Sequence, residues 1–316
     1  MTVLLKAQDV TKKYALGRKK VVHAVSDVSL TVSRGETLAL VGESGCGKST
    51  LGRMLVGLSA PSSGHIFFDD KEITGLSERA MRPWRPRMQM IFQDSYASFN
   101  PRRSVGGSLS EPLKIHRHKN IQERLEEITR LVGISYADLG RYPSAFSGGQ
   151  RQRLNIARAL VLKPELLVAD EPVAALDVSI QAQIINLFRE LQSSLGLASV
   201  FISHDLSVVR QMADRIAVMY LGRIIEEGES LSLIATPLHP YTRALLAAVP
   251  QLNRPLGAPL KGDIPSPVHP PSGCAFHTRC PVAQPRCALE RPLLQDYGLE
   301  GRRVACHYPQ SEVRKL

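Results

Sequence analysis

Leu38-Ala39-Leu40-Val41-Gly42-Glu43-Ser44-Gly45-Cys46-Gly47-Lys48-Ser49-Thr50 is the stretch that decides the fold. A short apolar run of strand type enters a glycine-rich loop, and a lysine and a serine close that loop. Gly42 to Ser49 fit the pattern G-x-x-x-x-G-K-[ST]. Glycines let the backbone wrap tightly, so that successive N–H groups point inward at phosphate oxygens. A following helix would aim its positive end at the same point. Gly42, Glu43, Ser44, Gly45, Cys46 and Gly47 are the candidate phosphate cradle. Lys48 is expected to reach the β- and γ-phosphates, and the Ser49 hydroxyl to ligate Mg²⁺. Thr50 starts the helix, and Cys46 reads as a small loop residue rather than a nucleophile.

Working outward, residues 2–10 and 21–41 alternate apolar and polar positions, as short strands do. A helix pattern runs from Ser49 to Leu58. Pro61, Gly64 and Gly75 around Ile66-Phe67-Phe68 predict a hairpin edge. Residues 120–132, 150–162 and 178–195 carry helical spacing. Leu166-Leu167-Val168-Ala169 and Ser199-Val200-Phe201-Ile202 are compact apolar runs suited to buried parallel strands. Strands alternating with helices predict an α/β layered sheet.

With 316 residues the chain can bury a core without disulfides, and 43% hydrophobic against 22% charged residues excludes general disorder. No apolar run of about 18 residues is present, so no membrane span is expected. Met1 to Lys6 lack the pattern of a secretory signal. A net charge of +11 suggests an anionic partner but does not choose among nucleotide, nucleic acid and an anionic surface. Near residue 250 the composition changes: Pro250, Pro255, Pro259, Pro265, Pro267, Pro270 and Pro271 make a connector that cannot sustain a helix. Beyond it stand Cys274, Cys280, Cys287 and Cys306. A reducing compartment, expected without an export signal, makes them a candidate metal site rather than a disulfide framework. The boundary is placed around 235–250.

Leu166 to Ala169 end in Asp170-Glu171. Asp170 suits Mg²⁺ through its water shell, and Glu171 suits polarising a water that attacks a γ-phosphate. Further on the chain shows Ser147-Gly148-Gly149-Gln150 before Arg151-Gln152-Arg153-Leu154. It also has Gln93 in Ile91-Phe92-Gln93-Asp94, Ala175-Leu176-Asp177 after the acidic pair, and His204 after a strand. With the phosphate loop, this set in this order resembles the ATP-binding cassette (ABC) ATPases across nearly the whole chain.

The resemblance implies two cassettes head to tail with two ATPs between them. Ser147, Gly148, Gly149 and Gln150 would face the γ-phosphate held by the other protomer's cradle. Gln93 would touch Mg²⁺ and the attacking water and connect to the membrane partner. His204 would bond the γ-phosphate and orient Glu171. Asp177 would line the dimer seam, and Tyr14 would stack on adenine, although a plain surface aromatic is an equal reading. The catalytic set is then Glu171, His204 and Gln93, with Ser49, Gln93 and Asp170 toward Mg²⁺. The implied fold is an α/β P-loop NTPase core with an antiparallel β edge and a helical subdomain over about 94–165. Residues 1–235 form the ATPase domain and 236–316 a Pro/Cys-rich C-terminal extension.

Ser98-Phe99-Asn100-Pro101-Arg102, Asp177 to Gln183, His239-Pro240-Tyr241-Thr242-Arg243-Ala244-Leu245-Leu246 and Pro271 to Pro281 narrow the match. Together they resemble the second ATPase subunit of dipeptide/oligopeptide permeases. Phe146, Ser95 and Ala174 depart from that pattern, and none removes a phosphate, Mg²⁺ or base residue. The resemblance implies an ATP-hydrolysing subunit of a peptide importer, peripheral on the cytoplasmic face of the inner membrane. Its partners would be two transmembrane permease subunits, a second non-identical ATPase and an extracytoplasmic solute-binding protein. Tyr96 and Phe99 would anchor a permease helix, or else pack in the core. An importer of a metal chelate or glutathione is the alternative within transport. A soluble nucleic-acid-associated cassette is disfavoured. Only 100 residues separate Gly47 from Ser147, which leaves no room for a long coiled coil, and one cassette is present.

The four late cysteines are separated by five, six and eighteen residues, without a C-x-x-C pair. Four thiols fit the ligand number of a Cys₄ site. The resemblance suggests a [4Fe-4S] cluster, with Zn²⁺ the alternative and buried thiols in tail packing a third reading. His277 and His307 stand beside these ligands.

Overall fold

The computed structural model describes residues 2–17, 20–94, 97–174, 176–248, 262–298 and 301–310. Ser95, Tyr96, Ala175 and the prolines Pro250, Pro255 and Pro259 lie outside the described residues. In chain order the elements are β1 Val3–Leu16, β2 Lys20–Ser33, β3 Thr37–Val41, α1 Lys48–Leu55, β4 Ser63–Phe68, β5 Lys71–Glu72, α2 Glu78–Met81 and β6 Met88–Ile91. Then come α3 Val105–Ile115, α4 Ile121–Leu131, α5 Gly148–Leu160, β7 Leu166–Asp170, α6 Val178–Leu195, β8 Ala198–Ser203 and α7 Leu206–Met212. The chain closes with β9 Arg215–Tyr220, β10 Arg223–Glu229, α8 Ser230–Ala235, α9 Pro240–Ala247, α10 Pro285–Leu289, β11 Gln295–Asp296 and β12 Arg303–Val304.

The chain divides into two compact units. One comprises residues 1–4, 32–36 and 76–201. Here β6 and β7 pair in parallel, Met88 opposite Leu166 and Ile91 opposite Ala169, and β8 flanks β7 on its other side. Every residue of β7 is buried, which suits a continuous apolar run inside a parallel sheet. Helices α3 to α6 follow and interleave with these strands. The side chain of Arg124 on α4 is buried at 4% exposure because its Nε and Nη2 donate to the carbonyls of Val161 and Leu160 at 2.8 and 2.6 Å. A guanidinium thus satisfies the orphan carbonyls at the C-terminal end of α5.

The other unit holds residues 5–31, 37–75 and 202–316. Its first sheet is antiparallel, in the order β2-β1-β4-β5, and includes the hairpin expected around Ile66 to Phe68. Its second runs β11-β12-β10-β9-β3, with β3 parallel to β9 from Leu38 opposite Arg215 to Val41 opposite Val218. Strands β9 and β10 form an antiparallel hairpin, and β12 adds to the outer edge of β10. One buried cluster joins Val41 of β3, Val218 and Tyr220 of β9, Tyr241 of α9 and Phe276 of the C-terminal region.

Candidate nucleotide-binding site

The loop between β3 and α1 is built as its glycines predict. Gly42 has φ 155°, and a Cβ there would lie 2.2 Å from the Met219 carbonyl oxygen. Gly47 has φ 104°, and its Cβ would lie 2.1 Å from the Ala24 carbonyl oxygen. Both approaches exclude any side chain. Gly47 caps α1, which begins at Lys48. Lys48 is 4% exposed, and its Nζ donates to the carbonyls of Gly42 and Glu43 at 2.7 and 3.0 Å, so the ammonium lies inside the curl of the loop. Ser44 and Gly45 are exposed at the tip. Cys46 is buried, and burial pushes its thiol pKa up, in keeping with a packing role.

Tyr14 and His204 belong to the same unit as this loop. Tyr14 stands on β1 at 41% exposure, with Lys12 Nζ 5.2 Å from its ring centroid. His204 is exposed just beyond β8.

The remaining candidates lie in the other unit. Asp170 ends β7 and is buried at 3% exposure. Glu171 follows with φ 46°, a left-handed conformation that costs a non-glycine residue about 1–3 kcal/mol and concentrates at functional sites. Gln93, exposed just past β6, donates from Nε2 to Glu171 Oε2 at 3.0 Å. Parallel pairing of β6 and β7 brings the two side chains together, since both follow the carboxyl ends of adjacent strands. The Asp170 carboxylate in this unit and the Ser49 hydroxyl in the other are each hard oxygen donors of the kind that magnesium takes.

Ser147 caps α5 in a reciprocal box: its Oγ accepts from Gln150 N at 3.3 Å, and Gln150 Oε1 accepts from Ser147 N at 3.0 Å. Ser147 itself stays exposed. A Cβ on Gly149 would meet Ile180 Cγ2 at 2.6 Å, so this glycine lets α5 approach α6. Asp177 caps α6 without a side-chain cap bond and is exposed. Phe99 is buried at 4% exposure with the Arg158 guanidinium 5.7 Å from its ring, and so packs in the core rather than presenting a docking aromatic.

Sequence reasoning passed over the groups that grip the phosphate loop from the C-terminal region. Glu43 N–H donates to the Tyr241 hydroxyl at 2.9 Å. Arg279 donates to both carboxylate oxygens of Glu43, at 2.7 and 3.1 Å. Tyr241 and Arg279 both stand in stretches that narrow the match, but no local pattern ties either of them to Glu43.

Cys274, Cys280, Cys287 and Cys306 line one cavity together with His239 and Phe276. Burial pushes the thiols of Cys274 and Cys280 up, and that of Cys306 up to about 12. Among the described residues, no three His, Cys, Asp or Glu side chains gather closely enough to hold a single metal ion. The four thiols therefore share a cavity, but the expected metal site is not formed by these side chains as they stand. A ring nitrogen of His277 bonds the Cys274 carbonyl at 2.8 Å, and one of His307 bonds the Glu290 carbonyl at 2.9 Å, so both rings are partly engaged with backbone.

A family model described as "ABC transporter" matches residues 25–174, and one described as "Oligopeptide/dipeptide transporter, C-terminal region" matches residues 225–287. A "Probable peptide ABC transporter ATP-binding protein" of Sinorhizobium fredii is 52% identical, over 96% of this chain and 89% of that protein. The chain belongs to the ABC transporter ATP-binding proteins. Among relatives of this ABC ATPase is the oligopeptide transport ATP-binding protein AppF of Bacillus subtilis, 49% identical over 96% of this chain and 97% of that protein. The solved structure of a dimeric bacterial ABC transporter cassette, MJ0796, matches with TM-score 0.66 and 27% identity. It covers 72% of this chain and 99% of that cassette. The ABC ATPase has the family's mixed α/β fold, and among its described residues no helix is long and apolar enough to cross a membrane.

Proposed function

We propose that this ABC ATPase energises a membrane importer of dipeptides or oligopeptides. The observation that carries this is the match of residues 225–287 to the oligopeptide/dipeptide transporter C-terminal region, on a chain whose phosphate loop is intact. Lys48 and the loop amides bind the ATP phosphates, and Ser49 and Asp170 supply oxygen donors to Mg²⁺. When bound, that ion neutralises charge on the β- and γ-phosphates. Glu171 polarises the attacking water as general base, and Gln93 holds its carboxylate in orientation. His204 bonds the γ-phosphate. Ser147, Gly148, Gly149 and Gln150 complete the ATP site of a partner cassette, with Asp177 at the seam and Tyr14 toward adenine. The partner is a second, non-identical ATPase. Two permease subunits hold the pair at the cytoplasmic face of the inner membrane, and a binding protein delivers peptide outside.

The C-terminal cavity holds a [4Fe-4S] cluster in this reading, with a structural role. A single zinc ion would draw four sulfurs to about 2.3 Å from one centre. What supports the cluster reading is the ligand number alone: four thiols line one cavity, as a Cys₄ cluster or a zinc ion would need. The function is tested by co-expressing the chain with its permeases and second ATPase and measuring peptide-dependent ATP hydrolysis in vesicles. Stimulation by peptide is expected. Stimulation by a metal chelate alone, or a working complex containing two copies of this chain, would overturn the corresponding part.

A further inference from the structure

We infer that Arg279 is a positioning residue for nucleotide binding, which the C-terminal region inserts to neutralise Glu43 inside the phosphate loop. The inference rests on reading residues 42–49 as the nucleotide cradle.

A carboxylate is a poor neighbour for triphosphate. Glu43 is the second residue of the loop, and its side chain is only 23% exposed. Left unpaired, its negative charge would oppose the phosphates that the loop amides and Lys48 attract. The structure pairs it with a guanidinium from 236 residues away, through two hydrogen bonds of 2.7 and 3.1 Å. Such a fork-to-fork pair fixes direction as well as charge. The Arg279 side chain is 6% exposed, and Glu43 beside it raises the guanidinium pKa, so the cation is permanent.

A second contact acts on the same residue. The Glu43 amide is consumed by the Tyr241 hydroxyl at 2.9 Å. Tyr241 is fully buried, its ring tilted against Tyr220 and edge-on to Phe276 at 4.7 and 5.4 Å between ring centroids. Phe276 lies three positions before Arg279 in the same segment. Main chain and side chain of Glu43 are thus held by one packed block, and the inner face of the loop is left to the ligand. Arg279 also directly precedes Cys280, a wall of the thiol cavity, so whatever that cavity holds anchors the backbone that carries the guanidinium.

The test is the affinity of the purified full chain for Mg·ATP, read by titration with a fluorescent ATP analogue. Arg279→Ala should weaken binding about tenfold, the scale of a hydrogen-bonded charge pair. In the Glu43→Gln background the same change should cost about twofold or less, because no charge is left to neutralise. If Arg279→Ala does not fold, Arg279→Lys carries the test: an ammonium cannot hold both oxygens, and a loss of about threefold is expected, again erased by Glu43→Gln. Unchanged affinity in the arginine variants overturns the inference alone. So does a loss that Glu43→Gln leaves intact, which would mark a merely structural arginine. A parental chain that does not bind ATP overturns the cradle reading, and this inference with it.

Discussion

Gln93 Nε2 sits 3.0 Å from Glu171 Oε2, so the amide occupies one oxygen of the carboxylate proposed to work as base. A glutamine at position 171 would keep the shape and the packing yet could not accept a proton. Glu171→Gln is therefore expected to retain ATP binding and to lose turnover by at least about 100-fold, the scale of general-base catalysis. Lys48→Ala should instead lose nucleotide affinity. Phosphate release and equilibrium ATP binding, measured on both variants, separate the two roles. Parental turnover in Glu171→Gln would remove the base assignment.

Glu226 and Arg302 form a buried pair at 0% and 1% side-chain exposure, with 2.7 Å between them. The same carboxylate accepts the amides of Leu238 and His239 at 2.8 and 2.9 Å, and Arg302 Nη2 also donates to the Thr236 carbonyl at 2.9 Å. The pair pins the segment after α8 to β10. Arg302→Met would leave a charge buried without its cation, an expected loss of about 3–5 kcal/mol. Adding Glu226→Gln should recover part of it. Thermal melting of the single and double variants checks this, and an unchanged single variant would refute it.

The contrast between these two relationships shows what the sequence carries and what it does not. Glu171 was legible because it follows the apolar run Leu166 to Ala169, whereas Gln93 is reached only through the resemblance, and the parallel pairing of β6 and β7 that makes them neighbours is not read from the sequence. Residues 21–41 read as one alternating region, but Gly35 at φ 72° turns the chain and separates β2 from β3. Helix α3 escaped notice because Gly106, Gly107 and Pro112 are poor helix formers. Gly106 earns its place through contact: a Cβ there would lie 3.0 Å from the Leu139 carbonyl oxygen. Glu226–Arg302 and Glu43–Arg279 are invisible to any local pattern. Their partners are 76 and 236 residues apart, and charged residues give no periodic sign of burial.

Glu165 offers a test by pH. Arg87 grips both its oxygens, and Arg34 Nη1 adds a bond of 2.8 Å. The hydrogen bonds from Arg87, aided by those from Arg34, hold the carboxyl pKa below its ordinary value. With the folded pKa below the unfolded one, the pair stabilises above the ordinary carboxylate range and its contribution fades as pH falls through the folded pKa. Glu165→Gln should thus melt lower near neutral pH and lose less stability on acidification to about pH 3. Melting curves across that range decide it. Parallel curves for parent and variant would rule out the linkage.

The C-terminal cavity makes the last prediction. Four thiols around one space, Cys287 buried and the other three partly buried, are poor neighbours as thiolates, and burial already holds Cys306 up to about 12. A bound metal group reverses that balance, because thiolates are the ligand form, and binding then becomes folding free energy for the segment. The segment has few other resources: α10 is five residues long, and β11 and β12 are two each. Anaerobic purification should therefore yield iron and acid-labile sulfide bound to the full chain, and Cys280→Ser should lose them. Removing the group with chelator should speed proteolysis beyond residue 262 and, through Arg279, weaken ATP binding. Zinc without sulfide would replace the cluster by a mononuclear site. A colourless protein with neither metal, equally resistant to protease with and without chelator, would show that the cysteines serve packing alone.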